Sequence, residues 1–126
     1  PDSFIHFAAT HRGATLYIDR AQIEQVLINL IKNAKESCGQ NTAPQIEVEL
    51  EQVPGKVCSL TVRDNGEGIL PEVIDKVFVP FFTTKPSGSG IGLSLCKQIM
   101  NLHGGTITVS SEIGKGSCFT LMFPGR

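Results

Sequence analysis

The sequence predicts an α+β fold, a two-layer sandwich in which helices cover one face of a mixed, mostly antiparallel sheet. Several short segments alternate apolar with polar residues, two longer segments show helical periodicity, and the predicted order is ββαββ, an irregular loop, then αββ. An amphipathic helix must bury its apolar stripe, and a neighbouring sheet offers the surface for it. The 126 residues are enough for one core, so residues 1–126 are predicted to form a single domain.

The chain begins with two predicted strands and a long helix. Residues 4–8 and 15–19 are apolar and β-branched, and Arg12-Gly13 marks a turn between them. From residue 19 onwards apolar side chains recur every three or four positions. This pattern predicts an amphipathic helix with Asp19 as its N-cap and Gly39 as its C-terminal stop.

The strands that follow are predicted as two hairpins separated by an irregular segment. Residues 46–51 alternate apolar side chains with glutamates, which is typical of a strand with one wet face, and the chain returns through residues 57–62. Residues 64–92 are rich in glycine and proline, with only a short helix expected at 71–76. A second amphipathic helix and a closing hairpin are predicted at residues 92–102, 106–111 and 117–123.

Composition excludes several classes of function. With 11 basic and 12 acidic residues the net charge is -1, so the chain lacks the basic face of a nucleic-acid-binding protein. Apolar runs are too short to span a membrane, no signal peptide is visible, and a chain that opens with Pro1 is expected to be an excerpt of a longer one. The cysteines show no metal-ligand spacing and are expected to be buried, reduced thiols, which favours the cytoplasm: Cys38, Cys58, Cys96 and Cys118.

Two glycine-rich segments could contact a ligand. Asp64 ends a predicted strand and is followed by Gly66 and Gly68, so a carboxylate could accept a hydrogen bond from an adenine amine while the glycines allow close approach. An ordinary Asp-Asn-Gly turn is the better explanation when these residues are taken alone, so the signal by itself is weak. Residues 88–93 run straight into a helix whose free amides could bind phosphate, although a flexible linker is the alternative. Their spacing is neither that of a P-loop nor that of a dinucleotide-binding turn.

Polar residues on the first helix and a phenylalanine-rich loop are further candidates. Asn29 and Asn33 are four residues apart and share a helix face, where an amide oxygen could ligate Mg²⁺, or where both could simply be solvated. Three phenylalanines surround Pro80 and precede residues 83–85. They could anchor a loop with Lys85 at its tip as a phosphate contact, but core packing and a solvated lysine explain the same pattern.

The order of these segments resembles the catalytic domain of two-component histidine kinases, in the superfamily that includes gyrase, Hsp90 and MutL-type ATPases. Residues 29–34 (NLIKNA) resemble the N box, and 64–68 (DNGEG) the first glycine box. Residues 77–85 (VFVPFFTTK) resemble the F box, and 88–93 (GSGIGL) the second glycine box. Residues 114–117 with Phe119 resemble the final glycine-containing hairpin, so the resemblance covers nearly the whole chain.

The resemblance implies a Bergerat-type ATP-binding fold, Mg²⁺ and ATP as cofactors, and transfer of the γ-phosphoryl group to a histidine. It implies that Asp64 accepts the adenine amine, that Asn33 ligates Mg²⁺ with help from Asn29, and that Asn33 and Lys85 are the catalytic residues. The remaining ATP-binding positions that it implies are Gly66, Gly68, Ile69, Phe78, Phe82, Thr83, Thr84, Gly88, Gly90, Ile91, Gly92, Leu93 and Ser117.

One departure from the family pattern and the lack of an acceptor histidine limit what is expected of this chain alone. Many members have a basic residue three positions after the magnesium asparagine, where this chain has Glu36, so the phosphate contact shifts to Lys85. None of His6, His11 and His103 suits a phosphate acceptor; the last is expected to cap a helix end. The acceptor is therefore expected on a separate dimerisation domain of a longer protein, which leaves this chain monomeric, with a response regulator downstream.

Other functions stay open on the sequence alone. An ATP-hydrolysing clamp would need a glutamate at the position of Asn29, because an amide is a poor general base. A nucleotide-sensing or partner-binding module without transfer activity is the non-enzymatic alternative. A serine kinase of the anti-sigma type would use the same site and differ in its partner. The parent protein is expected to be cytoplasmic at this domain, with or without a membrane anchor elsewhere.

Overall fold

The computed structural model describes residues 5–9, 19–39, 43–52, 57–82 and 92–124. The elements in these ranges are, in chain order, β1 (Ile5–Ala9), α1 (Arg20–Ser37), β2 (Ile46–Gln52), β3 (Val57–Asp64), α2 (Pro71–Ile74), α3 (Gly92–Leu102), β4 (Thr106–Glu112) and β5 (Gly116–Pro124).

The strands form one sheet in the order β1-β2-β3-β5-β4. β1 is parallel to β2, whereas the other neighbours are antiparallel, so the predicted mixed, mostly antiparallel sheet is confirmed. Of the predicted second strand at residues 15–19, residues 15–18 lie outside the described part of the chain, and Asp19 is not in a strand but caps α1.

Helix α1 begins where the sequence predicts and ends slightly earlier than expected. The Asp19 carboxylate accepts a hydrogen bond from the backbone N–H of Gln22 at 3.1 Å, which satisfies one of the free amides of the first turn. At the other end the C-cap is Cys38, one residue before the predicted stop at Gly39, and its N–H bonds to the carbonyl of Ala34 at 3.1 Å. The side chains that α1 buries lie on one face: Ile23, Val26, Leu30 and Ala34.

One face of the sheet is apolar and packs against α1 and α3, and the other carries polar side chains. Antiparallel register aligns the inward-facing residues in lateral rows across β4, β5, β3 and β2. Two of these rows are apolar throughout: Ile107–Leu121–Leu60–Leu50 and Val109–Phe119–Val62–Val48. The row at the loop end is different, because it aligns Ser111, Ser117 and Asp64 beside Ile46. We call these three residues the polar row.

The second half of the chain follows the predicted order with small changes in length. Helix α2 is a single turn, Pro71–Ile74, and ends before the predicted residue 76. Helix α3 has the predicted bounds and buries Cys96, Ile99 and Met100 between α1 and the sheet. No helix in the described ranges is long and apolar enough to cross a membrane.

The cysteines are all free thiols, but only three of them are buried. Cys118 is half-buried on the polar face of the sheet, opposite to the buried position expected for it, because β5 alternates and its neighbour Phe119 takes the core side. Burial raises the pKa of the Cys96 thiol to about 11.

Candidate functional site

Asp64 is a buried carboxylate at the end of β3, held by two backbone amides. Asp64 is only 4% exposed. Its Oδ1 accepts hydrogen bonds from the N–H of Gly66 at 2.9 Å and from the N–H of Ser117 at 3.3 Å. The other oxygen, Oδ2, is buried as well. A carboxylate can accept about four hydrogen bonds, and two amides from different segments fix the orientation of this one.

The loop after Asp64 docks closely on both of its neighbours. On one side, the N–H of Glu67 bonds to the carbonyl of Ser37 at 3.2 Å, and a Cβ at Gly66 would overlap the same residue of α1. On the other side, Gly68 has a φ of 81°, and a Cβ there would lie 2.5 Å from the carbonyl oxygen of Glu112. The glycines are therefore required by close packing of this loop, in addition to any ligand contact.

The Asn65 side chain holds the loop through two hydrogen bonds to the backbone that precedes β2. Its Oδ1 accepts a hydrogen bond from the N–H of Gln45 at 2.7 Å, and its Nδ2 donates to the carbonyl of Ala43 at 2.9 Å. These bonds tie the loop to the segment that enters β2. The Cys38 thiol lies beside them, 3.5 Å from Asn65 Oδ1, and burial together with the charge of Asp64 raises its pKa.

Ser111 was not among the residues that the sequence singled out, yet it joins three parts of the site. Its Oγ accepts a hydrogen bond from the N–H of Ile69 at 2.7 Å and donates one to the carbonyl of Gly116 at 3.0 Å. The same oxygen lies 3.0 Å from Oγ of Ser117. The local signal was a serine on the inward face of β4, where the other two residues, Ile107 and Val109, are apolar.

Helix α1 lines the site with side chains spaced four residues apart. Asn29, Asn33 and Ser37 follow one another along a stripe of about 12 Å, since each residue adds 1.5 Å. At one end Ser37 contacts the loop after β3; at the other Asn29 Nδ2 donates to the carbonyl of Gly92 at 3.4 Å. Asn33 is half-buried between these contacts. The structure thus places the segments containing Asp64 and Gly92 at opposite ends of one helical stripe.

Comparison with known proteins decides the family. Residues 18–126 match the sequence pattern of the family described as "Histidine kinase-, DNA gyrase B-, and HSP90-like ATPase".

The chain belongs to this ATPase family.

Within the family, the similar proteins are sensor histidine kinases. The chain is 38% identical over 120 residues to sensor histidine kinase ZraS of Escherichia coli strain K12, which covers 95% of this chain and 25% of ZraS. It therefore spans about a quarter of the length of that relative. The catalytic domain of histidine kinase ThkA has a TM-score of 0.84 at 34% identity, covering 96% of this chain and 79% of that one.

Two larger solved structures also match. Full-length ShkA in complex with AMPPNP has a TM-score of 0.84 at 26% identity and covers 96% of this chain and 25% of ShkA. Histidine kinase ThkA in complex with the response regulator protein TrrA has a TM-score of 0.79 at 32% identity, covering 97% of this chain and 34% of that chain. The predicted fold of a histidine kinase-type ATP-binding domain is confirmed by these matches.

In this ATPase domain the phenylalanine segment joins the core. The ring of Phe78 meets Phe119 edge to face, with centroids 6.2 Å apart and an interplanar angle of 85°, and Lys97 Nζ lies 5.3 Å from its centroid. Phe82 is half-buried, whereas Phe81 is 74% exposed and has a φ of 67°. A bulky residue in the left-handed region is strained by about 1–3 kcal/mol.

Several predicted positions of the ATPase domain lie outside the described residues: Thr83, Thr84, Lys85, Gly88, Gly90 and Ile91. Their roles stay predictions. Of the others, Asp64, Gly66, Gly68, Ile69 and Ser117 come together around the polar row. Gly92 lies against Asn29, while Leu93 is half-buried against the core.

His103 has the helix-capping role that was predicted for it. Its Nδ1 lies 2.8 Å from the carbonyl of Ile99 in the last turn of α3. Its Nε2 accepts a hydrogen bond from the N–H of Asp19 at 3.0 Å, a contact across 84 residues that was not predicted. Because Nε2 accepts, the proton of the neutral ring lies on Nδ1 and is donated to Ile99. The imidazole therefore joins the C-terminal end of α3 to the start of α1.

Proposed function

We propose that this chain binds Mg-ATP and donates its γ-phosphoryl group to a histidine on a dimerisation domain of the same protein. The observation that carries the proposal is Asp64, a buried carboxylate at a strand end, oriented by the amides of Gly66 and Ser117. Membership of an ATPase family whose similar members are sensor histidine kinases supplies the reaction class.

Asp64 is suited to select adenine through its exocyclic amine. A fixed acceptor in a buried position favours a ligand that presents a donor, and the amine of adenine is such a donor. Because Gly68 lacks a Cβ, the loop after Asp64 packs against the carbonyl of Glu112, and this close packing holds the backbone beside the carboxylate in place. The bound AMPPNP of ShkA, which shares this fold, is an adenine nucleotide and supports the same assignment.

The other end of the α1 stripe is proposed to hold the phosphates. Asn33 offers a half-buried amide oxygen between the adenine end and Gly92, and a hard oxygen ligand suits Mg²⁺, which usually keeps several waters and phosphate oxygens as its other ligands. Bound there, Mg²⁺ would neutralise phosphate charge. The backbone at the start of α3 and Lys85 remain the proposed phosphate contacts, with the helix N-terminus favouring negative charge.

The proposed reaction exchanges one bond of the γ-phosphorus for another. A nitrogen of the acceptor imidazole forms a P–N bond as the bond to the bridging oxygen of ADP breaks, so that ADP leaves. Little covalent chemistry falls to the protein, and positioning together with charge neutralisation provides most of the catalysis. Asn33 and Lys85 are the proposed catalytic residues, since Asn33 would ligate the Mg²⁺ bound to the triphosphate and Lys85 would contact its phosphates.

The partners follow from the same proposal. The acceptor histidine lies on the dimerisation domain, and a receiver domain of a response regulator accepts the phosphoryl group next. The complex of ThkA with the response regulator TrrA supports this partner class. We propose that the isolated chain is monomeric and works in the cytoplasm.

ATP hydrolysis is disfavoured by Asn29, because an amide is a poor general base. This side chain occupies the position where a hydrolase of the family would need a general base. Its Oδ1 accepts from Gln25 Nε2 at 3.0 Å and its Nδ2 donates to Gly92, so the amide joins the two helices. A serine kinase of the anti-sigma type differs only in its acceptor, which the second experiment below identifies.

Calorimetric titration with Mg-ATP tests the nucleotide site. Asp64→Asn should weaken binding about ten- to a hundred-fold, the equivalent of one charged hydrogen bond of roughly 1.5–3 kcal/mol. Asp19→Asn is the matched control, because it is the same substitution at the far end of α1 and asparagine also caps helices well. Equal affinity in wild type and Asp64→Asn would refute the adenine contact.

Phosphoryl transfer is tested with γ-labelled ATP and the separately expressed dimerisation domain. The label should move to that domain as an acid-labile, base-stable phosphohistidine, and the chain alone should not label itself. Asn33→Ala should abolish transfer. Label released only as inorganic phosphate would identify a hydrolase, and acid-stable label on a partner serine would identify a serine kinase.

A further inference from the structure

The hydrogen-bond donors and acceptors around Ser111 determine the direction of a neighbouring hydroxyl. A serine hydroxyl has one donor hydrogen and two acceptor lone pairs. The N–H of Ile69 can only donate, at 2.7 Å, and so takes one lone pair of Ser111 Oγ. The carbonyl of Gly116 can only accept, at 3.0 Å, and so takes its hydrogen. The remaining contact, to Ser117 Oγ at 3.0 Å, must therefore be donated by Ser117.

Because its hydroxyl donates to Ser111, Ser117 can only accept a hydrogen bond from a ligand. Its hydroxyl hydrogen is used by Ser111, and only lone pairs are left to face the site. Its backbone N–H, in turn, is directed at Asp64 Oδ1 at 3.3 Å. The polar row thus presents the Asp64 carboxylate and the Ser117 lone pairs side by side, both of them acceptors.

We propose that Ser111 is a positioning residue that makes the nucleotide site discriminate 6-amino from 6-oxo purines by holding Ser117 as an acceptor. The inference rests on the proposed function, since it places the purine beside Asp64. A 6-amino purine donates at this position, whereas a 6-oxo purine presents an acceptor there. An acceptor at Ser117 in direct contact with the base favours the first and disfavours the second.

The hydrogen bond between Ser111 and Ile69 extends the effect of Ser111 to the loop after Asp64. By accepting from Ile69, Ser111 fixes the backbone that follows Gly68 against the β4–β5 hairpin. A purely structural serine would do this as well, and its loss would reduce the affinity for all nucleotides equally. Discrimination between two bases is therefore the property that separates a positioning role from a structural one.

The test is calorimetric titration of the 126-residue chain with Mg-ATP and with Mg-ITP, whose bases differ in the 6-amino and 6-oxo groups. In Ser111→Ala the Ser117 hydroxyl is released and can donate to the 6-oxo group. The ratio of the ITP to the ATP dissociation constant should fall about three- to ten-fold, the value of one neutral hydrogen bond. Ser111→Thr keeps the hydroxyl and should restore the ratio, and Ser110→Ala, on the opposite face of β4, should leave it unchanged.

Three results would overturn the inference. The first is an unchanged ratio in Ser111→Ala with both affinities reduced equally. The second is a wild-type chain that binds both nucleotides with the same affinity. The third is an equal effect of Ser111→Ala in a Ser117→Ala background, where no hydroxyl is left to orient. If Ser111→Ala does not fold, Ser111→Cys replaces it, since a thiol is only a weak donor and acceptor. Failure of the wild type to bind either nucleotide would instead refute the proposed function.

Discussion

Substituting one glycine of the β4–β5 hairpin should damage both the fold and the nucleotide site, whereas its near neighbour should damage only the fold. Gly114 and Gly116 both have positive φ, 81° and 128°. A Cβ at Gly114 would meet nothing within 4 Å. A Cβ at Gly116 would overlap the carbonyl oxygen of Asp64 and lie 2.9 Å from Cα of Asn65. The two positions therefore share backbone strain but differ in what a methyl group would displace.

The expected losses of stability follow from backbone strain and from the overlap of the added methyl group with its neighbours. A left-handed conformation costs a residue other than glycine about 1–2 kcal/mol, which is the loss expected for Gly114→Ala. Gly116→Ala adds overpacking of about 1–3 kcal/mol, for a total of roughly 2–5 kcal/mol. The methyl group of Gly116→Ala displaces the end of β3, which carries Asp64. The affinity of this variant for Mg-ATP should therefore also fall at least about tenfold, the equivalent of one charged hydrogen bond.

Urea unfolding followed by circular dichroism gives the stability, and calorimetry gives the affinity of the folded fraction. Gly114→Ala is the control for backbone strain and should bind Mg-ATP as the wild type does. Equal losses of stability in both variants would show that contact with Asp64 contributes nothing. Wild-type affinity in Gly116→Ala would show that the position of Asp64 does not govern binding.

Three further predictions concern parts of the molecule away from the nucleotide. His103→Ala should lower the free energy of unfolding, measured in urea, by about 1–3 kcal/mol. The substitution removes the imidazole that accepts from the N–H of Asp19 and donates to the carbonyl of Ile99. The pKa of the Cys96 thiol is raised from 9.0 to about 11, so its neutral form stabilises the fold below pH 9. This contribution, about 3 kcal/mol for the change in pKa from 9.0 to about 11, should be lost as pH rises from 9 towards 11 in the wild type and be absent in Cys96→Ala. Iodoacetamide at pH 8 should modify half-buried Cys118 well before fully buried Cys96, as measured by mass spectrometry.

Features with a local sequence signal could be predicted. The N-cap at Asp19 and the bounds of α3 depend on residues within one or two turns of the helix, and both were predicted correctly. The alternation of apolar and polar residues assigned the two faces of β2 for the same reason. His103 was predicted to cap a carbonyl because the helix end and the imidazole are neighbours in sequence.

Features that depend on register could not be predicted. That Ser117 lies opposite both Asp64 and Ser111 depends on how three strands align, and a shift of one residue would have turned these side chains to the other face. The same holds for Cys118, whose apolar neighbours suggested burial although the register of β5 places it on the polar face. Ser111 therefore went unnoticed, since a single serine in a strand carries no sign of what it faces.

The two ends of the site are held in different ways, and this has a consequence for how they can change. At the Asp64 end, backbone hydrogen bonds and tightly packed glycines join the loop to α1 and to the β4–β5 hairpin, so the base site is part of the core. At the Gly92 end, Asn29 Nδ2 donates an exposed hydrogen bond 3.4 Å long to the carbonyl of Gly92, and an exposed bond of this length contributes little to stability. Substitutions near Asp64 should therefore reduce stability and affinity together. Those near Asn29 should alter affinity with little change in the free energy of unfolding, so the phosphate end can vary without loss of the fold.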